Sequence, residues 1–218
     1  MDDFNIKIEY KHVPRFDSGS DESIDYLERE GYVIIKNALT ANEASKTLDL
    51  LWDYLENLGT GIDRANPMTW SDDKWPTCAH GGIIPSYGIG HSEAQWFVRG
   101  VPNVKKAFAK VWGTNDLLTS FDGVSLWRPW NIDPSWKTQS GQAWFHIDQH
   151  PISKPGKQCI QGLINLLPTS KEIGGNVVIP KSHNFFKDLP EEYKERVERL
   201  PLDIDHFRFP HDLSLIHI

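Results

Sequence analysis

Residues 142–184 read QAWFHIDQHPISKPGKQCIQGLINLLPTSKEIGGNVVIPKSHN, and they constrain the fold more than any other stretch. The segment opens with an apolar run that carries His146 and Asp148. A polar loop with two prolines follows, then a second apolar run over 159–167. Gly174-Gly175 marks a tight turn, and residues 176–180 form a short β-branched piece that stops at Pro180. Short apolar runs between turn signals predict buried strands over 159–167 and 176–180.

The part before this stretch reads differently. Residues 23–30 predict a short helix, and 32–36 a strand rich in β-branched residues. Thr40 and Glu43 have the spacing of a capping box. The helix it opens, to about residue 58, carries Ala44, Leu48, Leu51, Trp52, Leu55 and Leu58 on one face. Residues 59–91 are rich in Gly, Pro, Asp and Trp without a period, which predicts a long irregular connection of the kind that often serves as a lid. Residues 93–99 and 103–112 predict helices on either side of Gly100 and Pro102, and strand-like patterning begins at Leu117. Helices first and strands afterwards, without βαβ alternation, argue for an antiparallel core flanked by helices, and a jelly roll is one such core.

His146 and Asp148 lie two apart, so on a strand both side chains point to one face. An imidazole nitrogen beside a carboxylate oxygen supplies two of the three ligands of the facial triad that holds non-heme Fe(II). The alternative is a solvated pair on a polar strand face. Trp144, one strand repeat away, falls on the same face and would wall the pocket. A third ligand, a distal His, is expected later. His206 and His211 follow His146 by 60 and 65 residues, in a charged stretch ahead of the expected strand. Gln161 and Asn165 share a face of the second apolar run, and such amides need partners: a bound cosubstrate, or other core groups. His91-Ser92-Glu93 mimics a ligand pair but precedes a helix, which would make its side chains diverge.

Taken in order, these elements resemble the phytanoyl-CoA dioxygenase family of Fe(II)/2-oxoglutarate oxygenases. The resemblance rests on His146-x-Asp148, the Gly-rich turn, the short strand and Pro180-Lys181-Ser182-His183, where Lys181 stands in a position usually held by Gly. Gly31-Tyr32-Val33-Ile34-Ile35-Lys36, Gly88-Ile89-Gly90-His91-Ser92 and Ser120-Phe121-Asp122-Gly123 are also similar, so the likeness covers roughly residues 20–212. It implies an α+β, mainly β fold: a double-stranded β-helix (jelly roll) core with flanking N-terminal helices. It implies Fe(II) held by His146 and Asp148, 2-oxoglutarate as cosubstrate with Gln161, Asn165 and His91 as its contacts, and O2. A late strand would bring the distal His and an Arg for the cosubstrate carboxylate. No separate catalytic acid or base is expected. The substrate is a small organic or acyl molecule. A cupin would show His-x-His instead, and a non-enzymatic jelly-roll binding module is the alternative in another class.

Residues 1–20 predict an N-terminal arm, and residues 21–212 the oxygenase domain. Residues 213–218, LSLIHI, are the translation of CTGTCTCTTATACACATC, the mosaic end of a transposon-based sequencing adapter, and they are set aside from fold reasoning. The expectation is therefore a domain whose last core strands are missing, an inactive fragment of a longer enzyme. The net charge of −7 offers no electrostatic footprint for nucleic acid or an anionic membrane surface. Two cysteines form no disulfide framework and suit a reducing, cytoplasmic setting. No apolar run reaches membrane-spanning length. Oligomeric state is not set by these features.

Overall fold

The computed structural model describes residues 9–10, 12–79, 82–137, 146–150, 152–170, 173, 176–186, 194–195, 198–199, 207–208 and 216–217. In chain order the elements are β1 Glu9–Tyr10, β2 Arg15–Phe16, α1 Asp21–Glu30, β3 Ile34–Ile35, α2 Ala41–Glu56, β4 Ile83–Ile84, α3 Glu93–Gly100, α4 Pro102–Trp112, β5 Val124–Ser125, β6 His146–Ile147, β7 Phe207–Arg208 and β8 Ile216–His217. Short 3-10 turns intervene at Pro67–Thr69, Ile89–His91, Pro134–Trp136 and Ser182–Phe186. The chain forms two units, one of residues 37–140 and one of residues 1–36 with 141–218.

In the 37–140 unit, α2 starts at Thr40 because the capping box is complete. The Thr40 hydroxyl accepts from the Glu43 N–H at 3.2 Å, and the Thr40 N–H donates to Glu43 Oε2 at 2.8 Å. Leu51 and Leu55 are buried on the face predicted from their spacing, and α2 lies along α3. Ser92 caps α3, accepting from the Gln95 N–H. The core gathers Leu55, Ile62, Trp75, Ile84 and Ile89, with Trp52, Trp70, Val124 and Leu126 packed against it. The irregular 59–91 connection thus supplies much of the core. Arg64 pins its start, donating to Glu56 and Asp53 at the end of α2. Trp52, Trp70 and Trp75 stack within 6.3 Å of one another, which accounts for part of the tryptophan content by burial. Strands β4 and β5 pair antiparallel.

In the other unit, β2 pairs parallel with β3, Arg15 opposite Ile34. Ser20 caps α1, and Gly31 ends it in the left-handed conformation at φ +80°. Phe16, Tyr26 and Tyr32 form an aromatic cluster, with the two phenol oxygens 2.9 Å apart. Burial raises the Tyr32 phenol well above its ordinary value of 10. Strands β6 and β7 pair antiparallel, and β1 pairs parallel with β8, which falls inside the adapter-like hexapeptide. Among the described residues all sheet structure consists of such two-stranded pairs.

Two predicted strands do not form. Residues 159–167 carry no regular structure and are mostly exposed, Leu163 and Leu167 by 54% and 60%. Among the described residues no strand pairs with this run, and an apolar run becomes a strand only where a partner takes up its backbone groups. Residues 176–179 are likewise irregular. Gly174-Gly175, Trp144, His206 and His211 lie outside the described residues.

Candidate metal centre

Strand β6 ends at Ile147, and Asp148 opens the bend that follows. Along the backbone His146 sits opposite Arg208 of β7. His146 Nε2 lies 3.5 Å from Asp148 Oδ2, and the two side chains are 22% and 37% exposed. With bonds near 2.1 Å to one cation, that separation corresponds to an N–metal–O angle of about 110°. The pair therefore faces one point in space, and a small closure brings it to the right angle of an octahedral ion. The donor set, one imidazole and one carboxylate, suits a ferrous ion and lacks the thiolates that favour zinc clusters. Among the described residues no third His, Cys, Asp or Glu joins the pair.

Two residues beyond the pair, missed by sequence reasoning, brace the bend. The Gln149 side chain is buried and donates to the carbonyls of Lys154 and Gly156, each at 2.6 Å. His150 is 1% exposed. Its Nδ1 accepts from the Ile152 and Ser153 N–H groups at 3.3 and 3.1 Å. An accepting Nδ1 puts the proton on Nε2, which is buried without a hydrogen-bond partner among the described residues. The available signal was polarity: Gln149 and His150 sit between a strand and a Pro-bearing loop, where side chains commonly replace missing backbone partners.

The remaining predicted site residues fall in different places. Gln161 Nε2 donates to Asp148 Oδ2 at 2.7 Å, so this amide joins the pair. Asn165 does not; its amide lies 3.4 Å from Thr169 Oγ1. His91 belongs to the 37–140 unit, where its ring stacks on Phe121 with centroids 4.0 Å apart. Gly90 sits tightly under this stack, since a Cβ there would meet the Phe121 carbonyl oxygen at 2.4 Å. Gln95 donates to the carbonyls of Asp122 and Gly123. Segments 88–92 and 120–123, which carried part of the resemblance, are therefore packed together. Arg99 donates to the Gly90 carbonyl at 2.6 Å, and desolvation by burial holds its guanidinium below the usual arginine range.

Lys181-Ser182-His183 closes α1. The Lys181 N–H donates to the Glu30 carbonyl at 2.7 Å, and His183 Nε2 lies 3.0 Å from the Glu28 carbonyl. Helix-end carbonyls lack intrahelical donors, so this turn acts as a cap supplied from a distant part of the chain.

Comparison with known proteins adds two relatives. The chain is 32% identical over 203 residues to Ava biosynthesis cluster protein O of Aspergillus versicolor, an alignment covering 93% of this chain and 63% of that protein. It is 26% identical over 200 residues to a Dictyostelium discoideum protein named "Putative phytanoyl-CoA dioxygenase", covering 75% of this chain and 56% of that protein. The chain thus spans less than two thirds of the length of either relative. No family model matches, and no solved structure matches. No helix among the described residues is long and apolar enough to cross a membrane.

Proposed function

We propose that this chain carries the metal-binding strand of an Fe(II)/2-oxoglutarate-dependent dioxygenase of the phytanoyl-CoA dioxygenase type. The observation that carries the reading is the convergence of His146 Nε2 and Asp148 Oδ2 to 3.5 Å at the end of an antiparallel strand. The relative named for that activity supports it. On this reading the substrate is a small organic or acyl molecule.

When bound, Fe(II) with O2 oxidises a substrate C–H to C–OH while 2-oxoglutarate leaves as succinate and CO2. The residues of this chain hold and orient. His146 would hold the metal through Nε2, and Asp148 through a carboxylate oxygen. Gln149 and His150 fix the bend in which that carboxylate sits, because their hydrogen bonds tie residues 149–156 into one closed loop.

The test uses the whole gene product. Anaerobic Fe(II) titration and succinate release, with candidate substrates added in turn, measure binding and turnover. His146→Ala and Asp148→Ala abolish both. Asp148→Glu loses roughly a hundredfold in turnover, since one added methylene shifts the carboxylate by about 1 Å. Protein that binds a small ligand but neither Fe(II) nor 2-oxoglutarate is instead a jelly-roll binding module.

A further inference from the structure

We infer that residues 159–167 pair antiparallel with the same residues of a second copy of this chain, about a two-fold axis at Leu163; the inference is independent of the metal reading above. Three observations converge. First, among the described residues no backbone–backbone hydrogen bond involves residues 160–167, and no strand pairs with them. Such backbone groups are a template for a second strand. Second, burial along the run alternates. Gln161, Leu163, Asn165 and Leu167 are exposed, whereas Ile160, Ile164 and Leu166 are half-buried. A period of two is that of an extended segment with one face turned inward, so the run is already close to the conformation that pairing needs. Third, residues 158–170 carry no charged side chain, in a chain of net charge −7. Two copies repel over most of their surface, and along this run they approach without like charges.

The order of side chains identifies the partner as a second copy. A two-fold interface is self-complementary, so residue i meets j and j meets i. Read outward from Leu163, the run is nearly a palindrome: Gly162 faces Ile164, Gln161 faces Asn165, Ile160 faces Leu166, and Leu163 faces itself. Apolar side chains meet apolar ones and amides meet amides, and such opposed pairs stabilise a strand pair. The register also keeps the outward positions together, since Gln161, Leu163 and Asn165 all lie on the exposed side. The contacts of Gln161 with Asp148 and of Asn165 with Thr169 use one N–H of each amide. Each amide has a second N–H and a carbonyl oxygen to offer the other copy. One strand from each copy is a small interface, so the dimer is expected to be weak and concentration-dependent.

The experiment is sedimentation equilibrium of the full 218-residue chain over a range of concentrations, as wild type and as the variants Leu163→Lys and Leu163→Glu. Leu163 is 54% exposed, so a charge there leaves the fold of the single copy intact, which far-UV circular dichroism checks. The expected result is a monomer–dimer equilibrium for wild type. In each variant the dissociation constant should rise about fivefold or more, because the new charge meets its own counterpart across the axis. An equimolar mixture of the two variants should associate more tightly than either alone, because Lys then faces Glu. Amides of 160–167 should exchange more slowly at concentrations where wild type is dimeric. Wild type that stays monomeric overturns the inference, and so does a dimer that either variant leaves intact. A mixture no tighter than the single variants overturns the axis at Leu163. Protection of the 160–167 amides in a monomer overturns the inference as well, because another part of the same chain is then the occupant.

Discussion

His183 occupies the space where a side chain on Gly31 would begin: a Cβ built there would meet His183 Nδ1 at 2.3 Å. Gly31 is also held at φ +80°, where an L residue is strained. The same imidazole reaches the Glu28 carbonyl through Nε2. The Ser-His turn and the end of α1 are thus one contact, although more than 150 residues separate them in the chain.

Gly31→Ala therefore meets two penalties. The left-handed conformation costs about 1–2 kcal/mol without glycine, and overpacking adds about 1–3 kcal/mol. A loss of about 2–5 kcal/mol is expected, read as a drop in melting temperature of roughly 4–20 °C for a chain of this size. Gly31→Ala with His183→Ala should recover the packing part and keep the conformational part. Full recovery would show that φ at Gly31 carries no strain.

Lys181 sits at φ +66° on the same turn. The sequence comparison noted Lys where Gly is usual, and the backbone supplies the reason. Lys181→Gly removes about 1–2 kcal/mol of strain and adds about 0.5–1 kcal/mol of unfolded-state entropy. The variant should be as stable as wild type or more stable, by up to about 1.5 kcal/mol. Lys181→Val should be less stable than both. Chemical denaturation ranks the three.

Both ends of α2 carry carboxylates held below the ordinary 4.5: Glu43 by its hydrogen bonds from Thr40, and Glu56 chiefly by the Arg64 side chain. A lowered folded-state value means the stabilising share is present above pH 4.5 and is lost as the pH falls below it through the folded-state value. Stability measured between pH 7 and pH 3 should fall less steeply in Glu43→Gln and Glu56→Gln than in wild type. Thr40→Ala should lose about 1 kcal/mol at neutral pH and also flatten the profile. Parallel profiles for Glu43→Gln and wild type would show that the cap carries no charge-dependent part.

The helices were legible because their signals are local. Thr40 and Glu43 and the α2 stripe each act within one or two turns, and each is found at the end or face it predicts. His146 and Asp148 are close, as their two-residue spacing suggests, but β6 ends at Ile147 and Asp148 opens the bend, so the pair does not share one strand as expected. Residues 159–167 were misread because a strand is decided by its partner, and hydrophobicity alone names none. The role of Lys181 depends on the Glu30 carbonyl, about 150 residues away, and nothing in its neighbouring sequence carries that information. Gln149 and His150 bond groups within the next turn of chain, where their polarity was the signal.

His150 gives a case where two effects oppose and the readout must be chosen accordingly. In His150→Leu the Ile152 and Ser153 amides lose their acceptor, at about 1 kcal/mol each. The same change deletes Nε2, which is buried without a partner among the described residues, and relief of such a donor returns about 1–3 kcal/mol. Global stability should therefore change little, and melting temperature decides nothing. Local exchange does decide. Amide hydrogens of Ile152 and Ser153 should exchange about fivefold faster in His150→Leu, the effect of roughly 1 kcal/mol, while those in α1 stay as in wild type. His150→Asn presents a carbonyl oxygen near the place of Nδ1 and should restore the protection. Because Asp148 shares the loop, its cation affinity should fall in His150→Leu and return in His150→Asn. Faster exchange with unaltered cation affinity would show that the loop closes without positioning the carboxylate.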